Sequence, residues 1–465
     1  MTTSKAASSI LLEAQVDEST TAYLLDPFVA LLRGYNHQFQ IFVSRPPSSP
    51  YIQASPSPIR SCSSAHAFAS AHEAPKAKRQ RCGLCQETAR LASECEIENQ
   101  SEAISSLSLK STILAALKTI QREWIMECEQ RNHSDWWLIA TQEPQISSPK
   151  LTWLSQDQLQ TPERAPNWAD LTRKSSPSRL HPLPPCHLMA TVSSSAWITY
   201  INWSMDSVQT LVLEKSNWKI YLPPRSGFTL ATIEHFSHAV SELDQAAGWD
   251  AVIIDPPWQN KSAARGSKYR SIELYELFKL KLPQMLGTNG GKKALVAVWV
   301  TNRPKFRRFL KTKFLPDSHV TGPYAEWYWV KITASPTFEN KTILAEGGQP
   351  IFDLESRSPR KCYEGLIVGW YLPASLRSES MSPVPTKLFF SVPLSHSRKP
   401  NIFDLLQPHL PACPNVLELF ARTISGFKPS RADPDSDFIG RWHSVGDECP
   451  KFNGEPWLNF NQQIS

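Results

Sequence analysis

From about residue 229 onward the chain alternates stretches of helical spacing with short apolar runs bounded by Gly, Pro and polar clusters, the rhythm of an α/β domain. Helical spacing covers 230–247, 272–285, 303–314 and 401–410. Apolar runs predict strands ending at Asp255 and spanning 294–300, 327–332, 366–370, 388–392 and 416–420. Further strands are expected at 197–201, 210–213 and 218–222, as a small β-layer leading into this domain. Between 101 and 131, Ile104, Leu107, Leu109, Ile113, Leu114, Leu117, Ile120, Trp124 and Ile125 recur mostly every three or four residues, so an accessory amphipathic helix is predicted there. Residues 45–74 form a Ser/Pro/Ala tract with too few large apolar residues to offset ordering entropy, and 142–187 is again Pro/Ser-rich. The expected division is a small N-terminal element (1–44), a disordered basic linker (45–100), a helical accessory region with its linker (101–190) and an α/β domain (191–465).

Chemistry concentrates at one strand end. The run Ala251-Val252-Ile253-Ile254 reads as a buried parallel strand, and Asp255-Pro256-Pro257-Trp258 stops it abruptly. Two prolines remove two N–H donors and leave carbonyl acceptors; beside them stand a carboxylate and a flat indole. Asp255 and the Pro256 carbonyl are suited to accept the hydrogens of an exocyclic amine on a heterocycle, and Trp258 is suited to stack on the ring. The competing reading is an ordinary Pro-rich turn with a core tryptophan. On the 303–314 helix, Arg303, Arg307 and Lys311 fall at i, i+4 and i+8, either a phosphate-tracking stripe or a solvated face.

Later segments bear on that choice. In order, Val298-Trp299-Val300-Thr301-Asn302-Arg303, Glu326-Trp327-Tyr328-Trp329-Val330-Lys331, Tyr363-Glu364-Gly365, His396-Ser397-Arg398-Lys399-Pro400 and Leu417-Glu418-Leu419-Phe420-Ala421-Arg422 follow the tetrapeptide. Over roughly 216–465 the chain resembles the MT-A-seventy family of S-adenosylmethionine-dependent adenine N6-methyltransferases. Asn260-Lys261-Ser262, Thr301-Asn302-Arg303 and Leu222-Pro223-Pro224 are most similar to its methyltransferase-like four branch.

The resemblance implies a Rossmann-like class I methyltransferase fold with permuted motif order, plus the N-terminal accessory region. It implies Asp255, Pro256, Pro257 and Trp258 as the catalytic set, and Ile254, Lys399, Phe420, Arg422, Asp447 and Glu448 as cofactor-binding, Lys399 through the cofactor's carboxylate. Tyr269, Asn302, Glu326 and Trp329 are implied at the adenosine pocket, with Arg303, Arg307 and Lys311 toward the nucleic acid. Read from the residues alone, Lys399 could equally face solvent, and Glu326 and Trp329 could be strand-end and core residues. The chain departs from the family where Thr423 and Asp447 replace amides, and around an insertion at about 427–439; Asp accepts from a ribose hydroxyl but cannot donate as Asn does. The implied reaction is methyl transfer from S-adenosylmethionine to the N6 amine of an unpaired adenosine in RNA. For the branch, this implies small nuclear RNA carrying 2′-O-methyladenosine. DNA adenine is the alternative, and a catalytically silent RNA-binding partner is the alternative of another class.

Composition changes little. With 465 residues, 41% of them hydrophobic, there is enough chain for two or three domains. The 38 prolines against 17 glycines speak against a Gly-rich dinucleotide loop, and neither GxGxxG nor GxxxxGK[ST] occurs. A net charge of +6 is only mildly basic, so nucleic-acid contact must rest on local patches. The cluster Lys76-Ala77-Lys78-Arg79-Gln80-Arg81 reads as a nuclear-import signal, a phosphate contact or a linker edge. Nine cysteines without a signal-peptide pattern are expected as reduced thiols in a nuclear or cytoplasmic compartment. Cys82 and Cys85, with Cys95 and Cys128, lack the spacing of a second ligand pair, so no metal is expected. No apolar run is long enough to span a bilayer, and the sequence leaves the oligomeric state open between a monomer and higher forms.

Overall fold

The computed structural model describes residues 10–26, 39–44, 108–123, 126, 151–154, 180–182 and, with gaps of which the longer are 260–270, 334–348, 355–360 and 427–439, residues 189–460. Twelve strands form one sheet. In chain order they are β1 (Ile10–Gln15), β2 (Thr20–Leu25), β3 (Met189–Ser193), β4 (Ile198–Asn202), β5 (Ser226–Leu230), β6 (Ala251–Ile254), β7 (Ala294–Val300), β8 (Val320–Lys331), β9 (Tyr363–Tyr371), β10 (Thr386–Ser391), β11 (Val416–Leu419) and β12 (Trp442–Gly446). Their spatial order is β1-β2-β10-β8-β9-β7-β6-β11-β12-β5-β4-β3.

At the centre β7, β6, β11, β12 and β5 run parallel, with Ile254 opposite Leu419 and Val298. Strand β9 alone is antiparallel between β7 and β8. This is the Rossmann-like α/β architecture expected. Permutation is visible in the pairing: β6 lies beside β11, which follows it by more than 160 residues of chain. β6 and β7 are apolar throughout because both faces are covered. Along β6, Val252 and Ile254 enter one apolar cluster and Ala251 and Ile253 the cluster on the opposite face.

Several elements differ from expectation in extent. The 230–247 helix is a strand end followed by a short turn and α2 (Phe236–Ser241), and 272–285 divides into a tight 3₁₀ turn (Leu274–Leu280) and α3 (Leu282–Gly287). Lys281, in the left-handed conformation, separates the two. The 303–314 helix is α4 (Pro304–Phe309) continued by a wider π turn (Leu310–Phe314). Proline at its first turn suits that position, where the N–H would be unbonded anyway.

Residues 10–25, expected within a separate N-terminal element, supply the edge hairpin β1–β2, and β2 pairs in parallel with β10. The accessory helix α1 (108–123) buries Ile113, Ala116, Leu117 and Ile120 in one cluster with Ala14, Leu24, Val330, Ile332 and Phe390. The upstream β-layer is divided: β4 joins the main sheet, while Gln209–Leu213 and Trp218–Leu222 pair in a small sheet with Leu180–Pro182. Tyr269, the 76–81 basic cluster, the 45–74 tract and Cys82, Cys85, Cys95 and Cys128 lie outside the described residues.

Candidate active site

Parallel strands carry their ligands beyond their carboxyl ends, where the chain order reverses. Here Asp255 follows β6, Phe420 to Thr423 follow β11, and Asp447 and Glu448 follow β12. Parallel pairing brings the three loops side by side, and the Asp255 N–H bonds to the Leu419 carbonyl at 3.1 Å. Next to them opens a cleft of about 680 Å³, its solvent-open mouth included. Its walls include Ile253, Asp255, Trp299, Arg398, Lys399, Glu418, Arg422 and Trp442.

Charge in the cleft is organised around Lys399. Its ammonium lies 3.3 Å from the Asp255 carboxylate and 2.8 Å from that of Glu364, and 5.3 Å from the centre of the Trp299 ring. Glu364 is also bonded by Lys331. Burial lifts the Asp255 carboxyl above its ordinary value, against the opposing pull of Lys399 and Arg422. Burial alone would raise Glu364 too, but Lys399 and Lys331 outweigh it and hold that carboxyl well below the usual range. Lys399 is raised: burial disfavours its charge, and the two carboxylates more than compensate.

The tetrapeptide does not have the openness expected of it. Pro256 accepts the Trp258 N–H at 2.8 Å and Pro257 accepts the Ile272 N–H at 3.0 Å, so each carbonyl keeps one further lone pair rather than being wholly free. Trp258 is a core residue. Its indole N–H donates to the Trp299 carbonyl at 3.0 Å, and Phe306 stacks on it with ring centres 4.8 Å apart. One face is therefore already taken.

Among the expected cofactor residues, Arg422 lines the cleft and pairs with Glu448 at 3.3 Å, which in turn pairs with Lys451 at 3.1 Å. Two others turn away. Ile254 points into the opposite apolar face, and Ile253 takes the cleft wall, because alternate residues of a strand face opposite sides. Phe420 adopts φ +61° and packs on Phe236 at 5.1 Å. A left-handed non-glycine residue costs roughly 1–2 kcal/mol, and that turn swings the chain so that Ala421, Arg422 and Thr423 face the cleft. Asp447 follows β12 at the same sheet end, where an acceptor was expected.

The expected adenosine and phosphate residues also separate. Asn302 donates to the Tyr363 carbonyl at 2.6 Å, and its side-chain oxygen is buried without a hydrogen-bond partner. Glu326 and Trp329 stand on opposite faces of β8. Trp329 donates to Ser391 at 2.8 Å inside the core, edge-on to Trp299. Glu326 is bonded by Arg307, Lys311 and Tyr328; burial pulls its carboxyl upward, and the two cations hold it below its usual value. Arg307 and Lys311 thus turn inward to a carboxylate rather than outward to phosphates. Arg303 stays exposed, its guanidinium 3.3 Å from the Gln259 carbonyl beside the tetrapeptide.

Three residues given no role from sequence belong to the site: Glu364, Lys331 and Glu418. Glu418, on the cleft wall, accepts the Trp442 indole N–H at 2.9 Å, and burial pushes its carboxyl up to about 8. An acid inside the apolar strand Val416–Leu419 is the signal that could have found it. No cluster of His, Cys, Asp and Glu suited to a metal occurs among the described residues, and no helix among them is long and apolar enough to cross a membrane.

Residues 249–432 match the MT-A70 family model. Human METTL4, an N(6)-adenine-specific methyltransferase, is 34% identical over 250 residues, 52% of this chain and 46% of that protein. The N6-methyladenosine RNA methyltransferase MTA1 of Pyricularia oryzae is 31% identical over 48% of this chain and 55% of its own. The DNA N6-methyl methyltransferase of Caenorhabditis elegans is 31% identical over 46% and 52% respectively. The chain thus spans about half the length of the curated relatives it matches. A crystal structure of the M1.HpyAVI-SAM complex aligns at 12% identity with a TM-score of 0.27, covering 49% of this chain and 94% of that one. Asp255-Pro256-Pro257-Trp258 stands at the head of the segment that matches the MT-A70 model, its partners are gathered at one sheet end, and the chain is similar to METTL4 over about half its length.

Proposed function

We propose that this chain methylates the N6 amine of an unpaired adenosine in RNA, with S-adenosylmethionine as donor. The observation that carries the reading is Asp255, a carboxylate held by Lys399 at a parallel strand end, opening on a cleft whose chemistry suits that donor. Ile253, Trp299 and Trp442 offer apolar and aromatic surface to a purine, Glu418 a hydrogen-bonding carboxyl for hydroxyls, and Arg398 and Arg422 positive charge for a carboxylate. When bound, the donor supplies a methyl group already activated on a sulfonium.

The chain's own residues then have to position an amine. Asp255 and the remaining lone pair of Pro256 accept its two hydrogens, fix its direction and favour a pyramidal nitrogen. Alignment of this kind is worth about 7–11 kcal/mol. As positive charge develops on nitrogen, the same oxygens stabilise it without reorganising. The proton leaves late, to Asp255 or to water. With Trp258 sealed by Phe306, stacking on the base must come from elsewhere at the site.

Relatives named for RNA and for DNA both match, so the nucleic acid is decided by assay. The full chain is incubated with donor and matched RNA and DNA oligonucleotides bearing one unpaired adenosine, with a third arm carrying 2′-O-methyladenosine as in small nuclear RNA. Products are read as N6-methylated nucleosides by mass spectrometry. The proposal expects product on RNA, greatest in the third arm. Product on DNA alone overturns the choice of RNA, and product on none favours a silent RNA-binding partner. A nuclear site of action belongs to the same proposal and rests on the 76–81 cluster; a fluorescent fusion excluded from nuclei would reject it.

A further inference from the structure

Residues 303–314 hold six cations and no acid. Arg307 and Lys311 turn in to Glu326, whereas Arg303, Lys305, Arg308 and Lys313 are exposed, so every charge that this segment turns to solvent is positive. Against it stands Tyr275, at 61% the most exposed large apolar side chain among the described residues.

The ring is held in place although it faces water. It packs edge-on to Phe309 of α4, with ring centres 5.3 Å apart. The Lys313 ammonium donates to its hydroxyl at 3.2 Å and lies 5.6 Å from the ring centre, at the hydroxyl end of the ring. The backbone below is fixed too. Glu273 and Glu276 close a capping box on the 3₁₀ turn Leu274–Leu280, and Glu276 is paired with Lys279 at 2.8 Å, which offsets the acid nearest the ring in sequence.

Both supports lead back to the tetrapeptide. The Ile272 N–H bonds to the Pro257 carbonyl at 3.0 Å, and Tyr275 is three residues further on, at most about 10 Å of chain. On the other side Phe309 shares α4 with Phe306, which stacks on Trp258 at 4.8 Å. A fixed, exposed aromatic ring bordered by cations is the combination that binds single-stranded nucleic acid: bases stack on the ring and the cations meet the phosphates.

We propose that Tyr275 is a stacking platform for a nucleotide flanking the target adenosine, with the exposed cations of α4 and its π turn along the neighbouring phosphates. The inference rests on the methyltransferase reading and deepens it. The substrate recognised is a single-stranded segment, gripped outside the cleft as well as within it.

The test is fluorescence anisotropy of the full-length chain with a labelled single-stranded RNA carrying one adenosine, and with the same RNA bearing an abasic nucleotide at each flanking position in turn. Tyr275→Ala is expected to weaken RNA binding about five- to hundredfold, and Tyr275→Phe to bind as wild type, since it keeps the ring. Calorimetric binding of S-adenosylhomocysteine stays unchanged in both, which shows that the fold and the cleft are intact. In the wild-type chain one flanking abasic position costs a comparable loss, and in Tyr275→Ala that position costs nothing further, because the same stack is already gone. Lys313→Ala lowers the salt slope by about 1. RNA binding of Tyr275→Ala within twofold of wild type overturns the platform. So does a loss that Tyr275→Phe fails to restore, an abasic cost equal in both proteins, or a wild-type chain that binds no RNA. The two readings fail separately: RNA binding with the expected abasic pattern but no methyl transfer removes the enzyme and leaves the platform, whereas methylation with KM unchanged in Tyr275→Ala does the reverse.

Discussion

Replacing Lys399 by Met tests the electrostatics of the site directly. In the wild-type chain its ammonium lies 3.3 Å from Asp255. At an effective dielectric constant of about 20, a unit pair at that distance interacts by about 5 kcal/mol. Reorganisation and water reduce this to the ~1–3 pKa units by which a close opposite charge moves a carboxylate. The sign follows from the same pairing. Lys399 opposes the upward push of burial on Asp255, so removing it raises that carboxyl further, with Glu364 adding like-charge repulsion. A protonated Asp255 presents an O–H to the incoming amine and can no longer accept from it on that oxygen. The acid limb of kcat/KM is therefore expected to move up by about 1–3 pH units, with activity partly restored at alkaline pH, while Lys399→Arg moves it far less. The assay is a pH profile of single-site methylation at saturating donor. An acid limb within ~0.3 unit of wild type would falsify the claim that Lys399 keeps Asp255 ionised.

Asp255→Ala should abolish turnover while calorimetric binding of S-adenosylhomocysteine survives; an active variant removes Asp255 from the mechanism. The Glu418 carboxyl, about 8 in the folded chain against 4.5 for an ordinary glutamate, keeps a proton that the unfolded chain sheds, so stability falls as pH rises through that window by up to ~1.4 kcal/mol per unit. Glu418→Gln should flatten the decline in urea unfolding between pH 5 and 8, and an unchanged slope contradicts the burial argument. Ala at Gly227 sets a Cβ 2.7 Å from His443 Nδ1 and 2.9 Å from the Tyr200 carbonyl, so a loss of about 1–3 kcal/mol is expected in denaturant unfolding; a neutral result means that the strands shift to make room. Lys305→Ala with Arg303→Ala, both exposed on the helix beside the tetrapeptide, should weaken oligonucleotide binding and reduce its salt slope by about 1 for each phosphate no longer neutralised. Salt dependence identical to wild type places the nucleic acid elsewhere.

What could be read from the chain, and what could not, divides along the range of the interactions concerned. β7 and the strand stopping at Asp255 were legible because a strand buried on both faces must be apolar at every position, and a proline pair cannot continue it. The amphipathic spacing around Ile113, Leu117 and Ile120 was legible for the same reason, yet its partner, the β1–β2 hairpin and the far strands of the sheet, was not. Periodicity reports which face is apolar and is silent on what covers it. Arg307 and Lys311 show the limit most clearly. At i and i+4 they form a basic stripe, and only the fold reveals Glu326 between them, 19 and 15 residues away on a neighbouring strand. Ile254 differs from Ile253 by a single step of strand parity, which a motif match does not resolve.

The acids and cations of the cleft likewise take their properties from one another rather than from the sequence around each. Asp255, Glu364 and Glu418 are all buried carboxyls, yet only Glu364 is held well below the ordinary range, because it alone meets two lysines. Asp255 shares Lys399 with that stronger competitor and stays raised, while Glu418, bonded by the Trp442 indole N–H and repelled by Asp255, is pushed by burial up to about 8. One ammonium shared between Asp255 and Glu364, a second lysine on Glu364 alone and the burial of Glu418 therefore give the three carboxyls different surroundings within one site. An amine acceptor must be ionised to accept on both oxygens, and Lys399, with Arg422, opposes the upward push of burial on Asp255.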